Sequence, residues 1–278
     1  MEELTSYAKR RGFVFQASEI YGGLGGFWDL GPYGAELADN IKASWWKEFV
    51  YKNANVVGVN TTIIQNPKLW KASGHIDTFV DPMVDCKECK HRFRADHVAG
   101  IDTNDLKKLD EKLKETACPN CGARHSFTPA RTFQMMFKTY VGPIEDDANV
   151  SYLRPETAGG IFAQYENVRE TTRKKLSFGI AQIGKAFRNE ITPGDFIFRL
   201  RELTQMELEF FTKPKEAKKQ YEFWKEYCMQ WLLSLGLNKE NLRYHDHADD
   251  ERAHYAEASV DVQYNYPFGF KELYGIAN

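Results

Sequence analysis

No apolar run in this 278-residue sequence approaches the roughly 18–20 residues that a bilayer-spanning helix needs. The opening stretch, MEELTSYAKRRGFVF, lacks the apolar centre of a secretory signal. Both absences point away from membrane and secretion. Charge imbalance is missing too: 37 Lys and Arg against 39 Asp and Glu leave −2, which removes a bulk electrostatic case for polyanion binding. A local basic face remains open, because nucleic acid responds to the patch and not to the total. There is no internal repeat, no low-complexity linker and no glycine-rich stretch ending in the Gly-Lys-Ser/Thr of a phosphate loop. Cysteine is scarce at five, and four of the five fall in two CxxC pairs. That usage suits metal binding in a reducing, cytoplasmic compartment better than a disulfide framework.

What is present is a folding composition. At 42% hydrophobic and 14% aromatic residues, the chain can bury the core of one large domain, or of a domain plus a module. A helix is expected after Gly31–Pro32, with Leu37, Ile41, Trp45 and Phe49 as its apolar stripe. A strand is expected from Val56 to Ile64, then strands over Phe133–Lys138, Ser177–Ile180, Ile183–Glu190 and Phe198–Phe211. The last two flank the turn-prone Thr192–Pro193–Gly194–Asp195. A helix from Pro214 to Leu235, closed by Gly236, carries Phe223, Tyr227, Trp231 and Leu235 at four-residue spacing. Ser259–Asn278 reads as paired strands. Helices flanking a mostly antiparallel sheet make the class α+β.

Cys86-Lys-Glu-Cys89 and Cys118-Pro-Asn-Cys121 are the strongest signal that spacing offers. Each CxxC turn can aim two thiolates at one ion, and two turns complete a tetrahedral, structural Zn²⁺ site. A short helix at 104–116, marked by Leu106, Leu109 and Leu113, accounts for the long separation. Four reduced structural thiols are the alternative. Cys228 reads as a core thiol.

Arg188, Asn189 and Glu190 close one expected strand, and Arg199, Arg201, Glu202 and Glu207 lie on the next. An arginine fork suits phosphate, and a carboxylate can accept from an exocyclic amine. Residues of one parity across an antiparallel pair meet on one face, so Arg188, Glu190, Arg199 and Glu207 can share a cleft. A ladder of surface ion pairs is the other reading of the same pattern. Leu153-Arg-Pro-Glu156-Thr157-Ala158 begins a helix, which makes Glu156 a first-turn carboxylate: a dipole partner or a ligand. The cluster Tyr21–Gly26 and Asp29-Leu-Gly-Pro read as backbone turns.

Five longer motifs, in order, carry a resemblance: Ser18-Glu-Ile-Tyr-Gly-Gly, Phe27-Trp-Asp-Leu-Gly-Pro, Asn66-Pro-Lys-Leu-Trp-Lys-Ala-Ser-Gly-His, Leu153-Arg-Pro-Glu-Thr-Ala and Gln182-Ile-Gly-Lys-Ala-Phe-Arg-Asn-Glu-Ile. With them, from near residue 11 to Asn278, the chain resembles the homodimeric glycyl-tRNA synthetases, which are class II aminoacyl-tRNA synthetases. The resemblance implies a six- or seven-stranded antiparallel sheet flanked by helices, with a zinc-ribbon-like module inserted. Residues 1–82 would hold motif 1 and the dimer interface, 83–130 the zinc insertion, and 131–278 motif 2. It implies ATP with Mg²⁺, glycine and glycine tRNA as ligands. By that likeness Arg188 is catalytic, holding the α-phosphate. Asn189, Glu190, Phe198, Arg199, Leu200, Arg201, Glu202, Leu203, Glu272 and Leu273 would complete the ATP site. Arg94, Glu156, Leu203, Thr204, Gln205 and Glu207 would surround glycine.

The likeness has departures. Leu203 stands where the family stacks a phenylalanine on adenine, and Gly159 replaces a glutamine. The chain also ends before motif 3 and the anticodon-binding domain, so it is expected to be an N-terminal portion unable to aminoacylate unaided. A non-catalytic relative, serving as a nucleic-acid-binding or dimerisation subunit, is the alternative. In a third reading, Lys87, Lys90, His91, Arg92 and Arg94 make the zinc module a nucleic-acid-binding ribbon.

Overall fold

The three-dimensional structure, a computed structural model, describes residues 1–101, 103–194, 196–248, 252 and 256–278. It opens with α1 (Glu2–Arg10) and an antiparallel ribbon of β1 (Val14–Gln16) and β2 (Trp28–Leu30). Between these strands Gly22, Gly23 and Gly26 hold φ of +96°, +77° and +79°, left-handed backbone that disfavours any side chain, so the glycine cluster is a built turn. Next comes α2 (Pro32–Trp46), with Pro32 at its first position, running on into a wider turn over Lys47–Tyr51. Only the second half of its expected stripe is buried. Trp45 and Phe49 are fully enclosed, whereas Leu37 is 51% exposed.

The strand expected from Val56 to Ile64 is only β3 (Val56–Gly58). A Cβ at Gly58 would overlap the Trp46 ring, so the chain crosses the indole at its closest approach there. It then leaves the sheet, with Ile64 making an isolated bridge to Leu153. Two short helices follow, α3 (Pro67–Ala72), capped by the Asn66 side chain, and α4 (His75–Thr78).

The cysteine region is built on β4 (Val80–Asp85), β5 (Arg92–Arg94), α5 (Ala95–Ala99), α6 (Leu106–Leu113) and β6 (Arg131–Gln134). Its sheet runs β5-β4-β6, antiparallel throughout. Helix α6 is the one expected at 104–116, and the Asp105 carboxylate accepts from the Lys107 and Lys108 amides to cap it. Val84, Ala95, Leu109, Leu113, Phe127 and Ala130 form a core of their own here. The strand expected over Phe133–Lys138 is broken in two, because Met135 and Met136 turn inward between β6 and β7 (Lys138–Tyr140). Strand β8 (Val150–Tyr152) pairs with β7.

After α7 (Ala158–Ala163) and α8 (Tyr165–Thr172) comes β9 (Phe178–Phe187), one strand where two were expected. It pairs with β10 (Glu202–Phe211) along its full length, from Phe187 opposite Glu202 to Phe178 opposite Phe211. The parallel β3 lies on its other edge. Asp195, the last residue of the expected turn, lies outside the described residues; the loop itself spans 188–201.

Helix α9 (Pro214–Ser234) is followed by Gly236 at φ +89°. It buries Tyr221, Trp224, Cys228, Trp231 and Leu232, while Phe223 and Leu235 of the expected stripe are exposed. Four-residue steps advance 400°, so such a line drifts about 40° per step off the buried face. The chain ends with β11 (Leu242–Asp246), β12 (Ser259–Tyr266) and β13 (Gly269–Ala277), an antiparallel sheet in that order.

Among the described residues no sheet exceeds three strands, and β3–β9 is parallel, so the single six- or seven-stranded antiparallel sheet is not formed as one ladder. A bulge between Val262 and Gln263 adds twist within β12–β13. The sheets β10-β9-β3 and β11-β12-β13 nevertheless share one core with α2 and α9, around Trp45, Phe49, Ala181, Trp224, Trp231 and Val262. Trp45 Nε1 donates to the Tyr274 hydroxyl at 3.1 Å, and Trp231 Nε1 to Ser44 Oγ at 3.2 Å, tying both helices into that core.

Candidate active site

The period of two along β10 puts Leu203, Gln205, Glu207 and Glu209 on one face. The segment ahead of α7 meets that face. Fully buried Thr157 donates its hydroxyl to Glu207 Oε2 and its amide to Gln205 Oε1, the latter at 3.1 Å. Helix α7 starts at Ala158, so Glu156 precedes the N-cap and is not the first-turn residue expected. Thr157, at the N-cap, makes no side-chain cap, because its hydroxyl is drawn to Glu207. His75 Nε2 lies 3.5 Å from Glu156 Oε2.

Arg188 stands against this acidic group. Its Nε donates to the Pro155 carbonyl at 3.0 Å, and its guanidinium lies 5.9 Å from the Phe79 ring centre. It makes no ion pair among the described residues, yet its charge reaches Glu190, Glu207 and Glu272. Burial pushes the Glu207 carboxyl up; the Thr157 hydrogen bond pulls it down, Glu156 pushes it further up, and Arg188 opposes that. Burial pushes Glu209 to about 8, with Glu207 and Glu156 adding to the rise. Glu156, Glu207 and Glu209 therefore lie close enough to act on one another, with Arg188 beside Glu207, an arrangement that favours the arrival of a cation.

The 188–201 loop carries the other expected phosphate and adenine groups. Strand β9 stops at Phe187, so Arg188, Asn189 and Glu190 lie beyond it, with the Asn189 amide bonded to the Met135 carbonyl at 2.7 Å. Burial raises Glu190, and Arg199 and Arg188 counter it. The exposed Arg199 side chain makes no hydrogen bond or ion pair among the described residues. Arg201 is committed elsewhere: its guanidinium donates to the Gly25 carbonyl at 2.6 Å and to the Glu190 carbonyl at 3.0 and 2.7 Å. It braces the loop against the glycine turn. Leu200 is half-buried, Glu202 pairs with Lys185 at 3.1 Å on the surface, and Thr204 is exposed on the face opposite Glu207. Thr204 and Glu202 thus offer the acidic pocket only backbone.

Phe198 packs edge-on against Tyr266 and Phe268, each at 5.1 Å, and with Glu272 and Leu273 it lines a cavity of about 630 Å³. Met1, Tyr7 and Phe13 line it as well. Arg94, expected near glycine, is held by Asp96 at 2.6 Å and Asp81 at 3.1 Å, two buried carboxylates. Its charge reaches Glu190 from there.

Cys86, Cys89, Cys118 and Cys121 come together with all four Sγ atoms within 4.8 Å of one another. The Cys86–Cys121 and Cys89–Cys118 separations are 3.8 and 3.7 Å. A tetrahedron with metal–sulfur bonds of about 2.3 Å has an edge of about 3.8 Å, whereas a disulfide needs about 2.0 Å. The set therefore fits a metal ion. The His91 amide helps hold the Cys89 thiol down to about 6, which favours the thiolate.

Several residues of the cluster escaped the sequence reading. Thr157 and His75 stood inside quoted motifs without a role, and Asp81 and Asp96 gave no signal. Gln182, fully buried opposite Glu207, accepts from Thr61 Oγ1 at 2.9 Å and leaves its Nε2 without a partner among the described residues.

The chain is 54% identical along its whole length to glycine–tRNA ligases of Geobacillus thermodenitrificans and Geobacillus kaustophilus, and 52% to that of Caldanaerobacter subterraneus. It spans 62–63% of the length of these relatives. No protein-family model matches the chain. Its structure superimposes with a TM-score of 0.60 on Giardia lamblia prolyl-tRNA synthetase in complex with prolyl-adenylate, at 14% identity. That likeness covers 92% of this chain and 40% of the other. The fold is thus that of the class II synthetases.

Proposed function

We propose that the chain is the greater part of a glycine–tRNA ligase, which joins glycine to ATP as glycyl-adenylate and passes it to glycine tRNA. The observation that carries this reading is the carboxylate pair Glu156 and Glu207, linked through Thr157 and set beside Arg188. Glycine has no side chain to recognise, so a selective pocket must reward its ammonium group and crowd its α-carbon. Two carboxylates do the first through charge-assisted hydrogen bonds. Their bulk, with Gln205 and buried Thr157 behind them, does the second.

In the reaction a glycine carboxylate oxygen attacks the α-phosphorus, the bond to the bridging oxygen breaks, and pyrophosphate leaves with its electron pair. Arg188 and Arg199, neither in an ion pair among the described residues, are available for the α-phosphate and the outer phosphates respectively. Glu190 accepts from the adenine amino group; Asn189, Phe198, Leu200, Leu203 and Leu273 complete the nucleotide surface. Arg201 acts by fixing the loop. Glu272 and Asp261, whose carboxylates both come close to Gly275, offer oxygens suited to the Mg²⁺ that accompanies ATP. When bound, that ion neutralises phosphate charge.

Residues 1–82 and 131–278 make the catalytic body, and 83–130 the insertion whose four cysteines hold a structural Zn²⁺. Homodimerisation through α2 is supported by exposed Tyr33 and Leu37. No helix among the described residues is long and apolar enough to cross a membrane, and we assign the protein to the cytoplasm. The test is calorimetry of a non-hydrolysable glycyl-adenylate analogue with the 278-residue chain. Binding that Glu156→Gln and Arg188→Ala each abolish supports the assignment; binding indifferent to both overturns it.

A further inference from the structure

We infer that His75 is a positioning residue of the amino-acid pocket: its Nε2–H orients the Glu156 carboxylate so that the second oxygen faces the incoming ammonium. The inference rests on the function proposed above. His75 opens α4, directly after Gly74, whose φ of +83° turns the chain sharply. Its ring is fixed by packing, edge-on to fully buried Trp70 at 5.5 Å and to Phe79 at 5.6 Å. Phe79 is also the ring beneath Arg188, so one aromatic wall sets both the cation and the imidazole.

The tautomer follows from the two neighbours of the ring. Nε2 faces Glu156 Oε2 at 3.5 Å, where a bare lone pair would oppose a carboxylate. Nε2 therefore carries the hydrogen, and Nδ1 lies 2.9 Å from the Ser73 hydroxyl, which also reaches the Trp70 carbonyl at 3.4 Å. The 3.5 Å separation is longer than a formed hydrogen bond, and contacts of this kind tighten when the ligand arrives. Glu207 is already held by the Thr157 hydroxyl, so each carboxylate of the pair has a donor set beside one oxygen and the other oxygen left for glycine.

The experiment compares His75→Phe and His75→Gln with the parent chain, reading by calorimetry the affinities for ATP alone and for the glycyl-adenylate analogue. His75→Phe keeps the aromatic packing and removes the donor. It is expected to weaken the analogue by about tenfold or more while leaving ATP affinity and melting temperature unchanged. His75→Gln, whose amide can donate, recovers most of the loss. Ser73→Ala, which leaves the ring in place but frees Nδ1, shifts analogue affinity in the same direction by less. Unchanged analogue affinity in His75→Phe overturns the inference, and so does an equal loss for ATP or a failure of glutamine to rescue. A parent chain that binds no analogue overturns the proposed function and this inference with it; a parent that binds, with an indifferent His75→Phe, overturns only the inference.

Discussion

Glu209 is the carboxyl of the pocket that no ligand role explains, and its replacement by glutamine makes a quantitative test. It lies on the Glu207 face of β10, and burial together with Glu207 and Glu156 pushes it from its ordinary 4.5 to about 8. Below pH 4.5 the carboxyl is protonated in the folded and unfolded chains alike. Between 4.5 and 8 the folded chain holds a proton that the unfolded chain has lost, so stability falls as pH rises through this window. At about 1.4 kcal/mol per pH unit, the two units from pH 6 to pH 8 amount to about 2–3 kcal/mol, with little further change by pH 9. Glu209→Gln is neutral throughout and removes the dependence. Urea unfolding of both chains at pH 6, 7, 8 and 9 reads the difference. The expected result is a variant whose stability advantage over the parent grows by about 2–3 kcal/mol between pH 6 and pH 9. Parallel curves for the two chains would refute the assignment of a proton to Glu209.

The remaining predictions concern residues that support the pocket and the module. Thr157→Val removes the hydrogen bond that pulls Glu207 down, so affinity for the glycyl-adenylate analogue should fall most at the acid end of the pH profile and recover as pH rises; an unaltered pH profile in calorimetry counts against the contact. Gly160→Ala places a Cβ on the Thr61 hydroxyl, inside the network of Gln182 and Arg154, and should cost about 1–3 kcal/mol in urea unfolding. About one zinc per chain is expected by elemental analysis. Cys118→Ala should lose the metal and loosen the Val84–Leu109–Phe127 core, which hydrogen exchange of α6 would report.

What the sequence made legible, and what it hid, follows from the range of the interactions. The four-cysteine cluster was readable because a CxxC turn is local and needs only a second copy. Arg188 and Glu207 were readable as residue types, but their convergence depends on the β9–β10 register and on the docking of Thr157, which no spacing encodes. Gln182 interrupts the apolar run and made β9 look like two strands, and Gly184 is a weak strand residue inside the second of them. In the fold both are required: Gln182 receives Thr61, and Gly184 leaves the space that the Arg154 guanidinium fills. Arg201 resembled a phosphate ligand by type, yet carbonyls at Gly25 and Glu190 take its donors. His75 could not be found from pattern at all, since its partner Glu156 lies 81 positions away and meets it only through tertiary packing.

The most direct test of a glycine-selective pocket is a paired calorimetric titration of the parent chain with glycyl- and alanyl-adenylate analogues. Binding of the glycyl analogue, with the alanyl analogue weaker by tenfold or more, is the predicted result, since one added methyl must displace Glu156, Glu207 or their supports. Equal affinity for the two analogues would contradict the pocket described here.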